Sequence, residues 1–178
     1  VPGHIKASLR LAQAYMLAEQ YSQVETILRG LLESHPVCIE AYFGLGKCLE
    51  KQYRLDEAAD YLSKAADLTP EAAEYQLAAG QVLKGLGQNA RALDYLRKAA
   101  ALCPDESEVH YCLGSVLSSL ERFSEAAAEL EKASKLDPRS SYTFYALGVA
   151  YARLNHFDKA IAAFSQALEL NSRKFIMK

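Results

Sequence analysis

Cys103, His110 and Cys112 form the one grouping in this 178-residue sequence whose residue types and proximity suggest a metal site. Structural zinc asks for four ligands at characteristic spacings. These three match no common pattern and no fourth ligand stands near them, so helix-end and packing roles account for them. No metal or cofactor is expected. His4, His35 and His156 are scattered along the chain. No local motif gathers a Ser/His/Asp or Cys/His constellation for nucleophilic catalysis. Asp56 and Glu57 are adjacent acids, but they open a helical stretch, where the helix dipole already favours negative charge. The glycines lie within or between helical stretches with no strand before them, which argues against a phosphate-binding loop. No catalytic residue is assigned, and the connections are too short for an active-site loop. The chain reads as non-enzymatic.

What remains is an interaction role, and the composition bounds it. Hydrophobic residues make up 51% and charged residues 24%, enough for a substantial core beneath an ordinary polar surface. Lys and Arg total 20 against 22 Asp and Glu, so no basic excess recommends nucleic acid. No apolar run approaches the roughly 18 residues of a membrane span. Cys38, Cys48, Cys103 and Cys112 are too sparse for a secreted disulfide scaffold. With no Asn-x-Ser/Thr acceptor site, they read as reduced thiols of a cytoplasmic protein. The opening "VPGH" has neither an initiator methionine nor a signal peptide and reads as the edge of a piece excised from a longer protein.

Proline measures the organisation. Pro36, Pro70, Pro104 and Pro138 recur every 34 residues, and a period of that size points to stacked repeats. The repeats are 5–38, 39–72, 73–106, 107–140 and 141–174. Each divides into two amphipathic stretches with apolar residues at three- and four-residue spacings, a helical period. In the second repeat these are "EAYFGLGKCLEKQ" and "LDEAADYLSKAADL". The proline ends the second helix because its ring has no N–H to donate. Gly87, Asn155 and Asp56 stand in the turns as terminators and caps. The fold class is all-α.

The second repeat carries Tyr42, Leu45, Gly46, Leu49, Ala58, Leu62, Ala65 and Pro70. The fifth carries Phe144, Leu147, Gly148, Tyr151, Ala160, Phe164 and Ala167. The fourth repeats the pattern with His110 in the first large position, and the third has Gln76 there and Asn89 in place of a large apolar residue. This series resembles the tetratricopeptide repeat family over nearly the whole chain. The resemblance implies a right-handed α-solenoid, a single domain of five helix–turn–helix repeats. The small residues let paired helices approach closely. The third repeat is the expected soft point. The first repeat is atypical, with Ser8, Ala12, Val24 and Leu31 at signature positions, as an end repeat must be. Ser172 replaces a fifth proline, so the last helix can continue, and 175–178 could begin a capping helix.

The resemblance also implies a concave groove lined by the first helices, where family members commonly bind a peptide or protein segment. Its candidate contacts here are Leu9, Arg10, Gln13, Phe43, Lys47, Leu77, Gln81, Tyr111, Ser115, Tyr142, Tyr145 and Val149. Leu9, Phe43, Leu77, Tyr111 and Tyr145 form an apolar ladder beside the mostly small Arg10, Gly44, Ala78, Cys112 and Ala146. Packing against the adjacent helix would also select aromatics on that ladder. Lys6, Arg10, Lys47, Lys51 and Lys84 make one end basic, though acids are interspersed. The implied partner is a segment with apolar anchors and some acidic residues. Family members that grip a terminal carboxylate use lysines and asparagines at positions where this chain has Leu9, Gln13, Gly44, Glu74 and Ala78, so that clamp is not expected. Starting the clamp at either of the next two repeats fails as well. Two alternatives stay open: end-to-end self-association driven by apolar terminal repeats, and a regulatory domain of a larger protein.

Overall fold

In the computed structural model, residues 2–176 are described, with side chains described for 4–172. Among these residues there are ten α-helices and no strand. The chain forms two compact units, Val1–Gln88 and Asn89–Lys178. The first holds α1 (Pro2–Leu17), α2 (Tyr21–Ser34), α3 (Ile39–Lys51), α4 (Leu55–Leu68) and α5 (Ala73–Gly85). The second holds α6 (Asn89–Leu102), α7 (Ser107–Ser119), α8 (Phe123–Leu136), α9 (Ser141–Arg153) and α10 (Phe157–Ile176). The third repeat therefore contributes one helix to each. Within each unit a helix packs on its sequence neighbours, and α1 also touches α3, as α7 touches α9.

The hairpins close on small residues, as expected. A Cβ on Gly46 would lie 2.6 Å from Leu62 Cγ, and one on Gly148 would lie 2.7 Å from the Phe164 ring. Around these contacts Leu45, Leu49, Ala58, Leu62 and Ala65 are fully buried in the N-terminal unit. Leu130, Ala126 and Ala133 do the same in the C-terminal unit.

Every hairpin turn uses one left-handed residue at the same register: Glu19, Tyr53, Gly87, Glu121 and Asn155. The next amide donates back over the helix end, as in Arg54 N to Leu49 O at 3.0 Å and His156 N to Tyr151 O at 2.9 Å. This back-bonding satisfies carbonyls that the helix end leaves open. Gly87 and Asn155 thus stop helices as the sequence implies. Asp56 lies in the first turn of α4, whose N-cap is Arg54.

In the second, third and fourth repeats, the fourth residue ties back by a hydrogen bond to the end of the repeat before it. Tyr42 OH donates to Pro36 O at 3.1 Å, and Nε2 of His110 reaches Pro104 O at 2.8 Å. Gln76 does the same with an amide, donating to Ala66 O at 2.8 Å while wholly buried. At this position the third repeat keeps the hydrogen bond with a smaller, wholly buried polar side chain. After Leu154 the last hairpin meets no closing proline, and α10 runs through Ser172 to Ile176. The expectation of a capping helix over 175–178 falls outside the residues with described side chains.

Charged side chains brace the N-terminal unit. Glu25 on α2 accepts from Gln52 Nε2 at 2.8 Å, Arg54 Nη1 at 2.7 Å and Arg29 Nη2 at 3.2 Å. Burial pushes its carboxyl up, but these three donors outweigh burial and hold it below its ordinary 4.5. A carboxyl depressed in the folded state lends stability above its unfolded pKa, and that stability is lost as pH falls through the folded value. Glu25→Gln should therefore flatten the loss of unfolding free energy on acidification below about pH 4.5. An acid limb as steep as the parent's in denaturant titrations would show that Glu25 is not part of it.

Candidate functional site

Five of the twelve candidate contacts meet in the N-terminal unit. Leu9, Arg10 and Gln13 on α1 and Phe43 and Lys47 on α3 line one cavity of about 450 Å³. The four-residue steps from Leu9 to Gln13 and from Phe43 to Lys47 put each set on one helix face. Met16, Val24 and Leu28 add to the apolar lining. Gly44 keeps the cavity open, since a Cβ there would lie 3.0 Å from Leu28 Cδ1. The cavity's charged groups are Lys6, Arg10, Lys47 and Glu40. Lys47 Nζ pairs with Glu50 at 2.5 Å, and Arg10 Nη1 donates to Gln13 Oε1 at 3.1 Å. The result is an apolar hollow with a cationic rim.

Leu77 and Gln81 sit half-buried on α5 and do not line this cavity. In the C-terminal unit Tyr142 and Tyr145 line a separate hollow of about 390 Å³ with Phe164, Ala167 and Leu168. Tyr111 packs edge-on against Tyr142 with centroids 4.7 Å apart, and burial pushes its phenol above the usual value. Ser115 and Val149 are half-buried outside that hollow. Ala78 and Cys112, two of the expected small groove residues, are buried instead. They serve packing, and the small-beside-large arrangement opens a cavity at Gly44.

Sequence reasoning missed Val24 and Leu28, because only the first helices were expected to line the groove and these two lie on α2. A signal was present. Val24 replaces an alanine of the repeat pattern, and the larger side chain is part of this lining.

The metal-like grouping resolves into separate roles. His110 is buried, with Nε2 against Pro104 O and Nδ1 2.6 Å from Glu129 Oε2. Cys103 is exposed and Cys112 buried. Among the described residues no group of three or more His, Cys, Asp and Glu is placed to hold a metal. Burial raises the thiols of Cys38 and Cys48 above the ordinary value, the opposite of what a reactive thiolate needs. No described helix is long and apolar enough to cross a membrane.

Four family profiles match along the chain. Those described as tetratricopeptide repeat match residues 9–73, 73–116 and 141–174, and one described as TPR repeat matches 114–155. No curated protein matches by sequence. Among solved structures, a MamA protein superposes with TM-score 0.89 at 22% identity, covering 98% of this chain and 95% of that one. MamA 41-end from Desulfovibrio magneticus RS-1 gives 0.87 at 20%, with 96% of both chains covered. YrrB, described as a TPR protein with an unusual peptide-binding site, gives 0.85 at 24%, covering 92% of this chain and 84% of its own. These likenesses show the fold, an α-solenoid built of helical hairpins. The profiles together span residues 9–174, and the chain belongs to the tetratricopeptide repeat family.

Proposed function

We propose that this chain is a non-catalytic protein-interaction module that holds a partner peptide or helix in its groove. In the N-terminal unit the segment seats apolar anchors against Leu9 and Phe43 and places acidic residues beside Lys6, Arg10 and Lys47. The observation that carries this reading is the open apolar cavity with its cationic rim. YrrB, a TPR protein of the same fold with a peptide-binding site, supports it. Leu77, Gln81, Tyr111, Ser115, Tyr142, Tyr145 and Val149 are further contact candidates, each within its own unit. The mechanism is not a carboxylate clamp, because no run of lysine and asparagine occupies the clamp positions. The five repeats act as one domain in the cytoplasm, where cysteines stay reduced.

Selection from a random peptide display library tests the site without a known partner. Enriched peptides should carry leucine or aromatic anchors next to Asp or Glu. Phe43→Ala with Lys47→Ala should weaken an enriched peptide by at least about tenfold, roughly 1.4 kcal/mol, with helical circular dichroism unchanged. Peptides that bind the double variant as tightly as the parent would remove the cavity from the site.

A further inference from the structure

Within the two units, successive first helices meet at three joints, and a pair of rings closes two of them. Phe43 on α3 packs on Tyr75 of α5 with centroids 4.8 Å apart. Tyr111 on α7 packs edge-on against Tyr142 of α9 at 4.7 Å. Among the described residues the remaining joint, between α1 and α3, has no such pair. Leu9 stands on α1 at the register of Phe43 and Tyr111, and Glu40 stands on α3 at the register of Tyr142. The 450 Å³ cavity opens at that joint.

The lining suits a ring. Ala12, Val24 and Leu28 are buried beneath it, and half-buried Phe43 both lines the cavity and belongs to the α3–α5 ring pair. A further ring in the cavity meets Phe43 at the separation aromatic pairs favour, about 4.5–7 Å between centroids. The charges are one-sided. Lys6 and Arg10 stand four residues apart on one face of α1, and Arg10 bonds to the neutral amide of Gln13. On α3, Lys47 is paired with Glu50, and Glu40 is the acid in the lining. An anionic group is therefore drawn to the α1 side and repelled from the α3 side.

We propose that the cavity takes one aromatic side chain of the partner, with an acidic residue of the same segment beside Lys6 and Arg10. This rests on the peptide-binding reading above and narrows it from any apolar anchor to a ring. The partner supplies at the α1–α3 joint what the chain supplies for itself at α3–α5 and α7–α9. Leu9 is then the specificity-determining residue. A tyrosine at its register, as at Tyr111 and Tyr145, would fill the joint from within and leave no room for a guest.

Blocked peptides Gly-Glu-Asp-Xaa-Asp-Glu-Gly, with tryptophan, phenylalanine, leucine or alanine at Xaa, test this by titration of the chain's backbone amide NMR signals. The tryptophan and phenylalanine peptides should shift amides of α1 and α3 around the cavity and bind about tenfold tighter than the leucine peptide. That comparison needs no variant. Leu9→Tyr should weaken the tryptophan peptide by about tenfold with helical circular dichroism unchanged. Exchanging the peptide's acids for Asn and Gln should weaken binding to the parent and leave binding to a Lys6→Gln, Arg10→Gln variant unaltered. A leucine peptide as tight as the tryptophan one would overturn the ring and leave the peptide site standing, as would silence from this series while a display-enriched peptide still binds at Phe43 and Lys47. Binding by neither would remove the site itself. Octanoate binding the cavity more tightly than the tryptophan peptide would overturn the proposal in favour of an aliphatic acid.

Discussion

Gln76→Glu should destabilise the N-terminal unit by at least about 3 kcal/mol at neutral pH, the cost of a buried charge without compensation. Pro70 has no N–H, so the Ala66 carbonyl at the end of α4 lacks its usual donor four residues on. Gln76 supplies that donor from a fully buried side chain, with Nε2 2.8 Å from Ala66 O and 3.5 Å from Pro70 O. A carboxylate in the same place faces two carbonyl oxygens and the negative end of a helix dipole. Burial would raise the new carboxyl's pKa. A raised pKa means that the folded state holds the proton more tightly, so stability is recovered as pH falls below the folded value and is lost as pH rises through it. The protonated acid can donate to Ala66 O as the amide did. Gln76→Leu is the control. It strands the Ala66 carbonyl but also removes Gln76 Oε1, a buried acceptor with no hydrogen-bond partner, so its cost should be smaller. Denaturant titrations at pH 7 and at acid pH should rank the parent first, then leucine, then glutamate, with the last gap closing in acid. A glutamate variant as stable as the leucine variant at neutral pH would show that the site reaches water.

The same residue marks how far the sequence could be read. Prolines every 34 residues and helical apolar spacing made the class, the hairpins and the glycine contacts legible, because each depends on neighbours within one repeat. Gln76 looked like a defect because its partner is a carbonyl exposed by the preceding repeat's proline. That relation appears only once two repeats are stacked. The left-handed turn residues were legible at Gly87 and Asn155, whose types favour that conformation, but not at Glu19, Tyr53 and Glu121. The candidate site divided similarly. Leu9, Arg10, Gln13, Phe43 and Lys47 were found by register on first helices, whereas Val24 and Leu28 reach the cavity from α2. A groove expected from first helices alone hides that approach. Tyr142 and Tyr145 were likewise found by register on a first helix, whereas Phe164 and Leu168 reach the same hollow from α10.

Gly114→Val should cost about 3 kcal/mol, at the upper end of ordinary overpacking. A Cβ at Gly114 would lie 2.6 Å from Leu130 Cγ and 3.1 Å from the backbone oxygen of Ala126, well inside normal carbon contact. Leu130 is fully buried and cannot swing away, and the carbonyl belongs to the α8 backbone, so α7 and α8 must separate. Valine adds two further carbons at the closest point. Its gain in helix propensity over glycine is only a few tenths of a kcal/mol, too little to offset the clash. In a chain of this size each kcal/mol moves the melting temperature by roughly 2–4 °C, so a drop near 10 °C is expected. Gly30 on α2 gives the opposite sign. Nothing lies within 4 Å of a Cβ there, so Gly30→Ala meets no clash. It should raise stability by about 0.5–1 kcal/mol, by restricting the unfolded chain and favouring the helix. The pair separates close approach from propensity, because both glycines are helical and only one faces a partner helix. Hydrogen exchange should place the Gly114→Val loss in the α7–α8 hairpin. Equal shifts in the two variants would mean that helix propensity, and not the contact with Leu130, governs the choice of glycine.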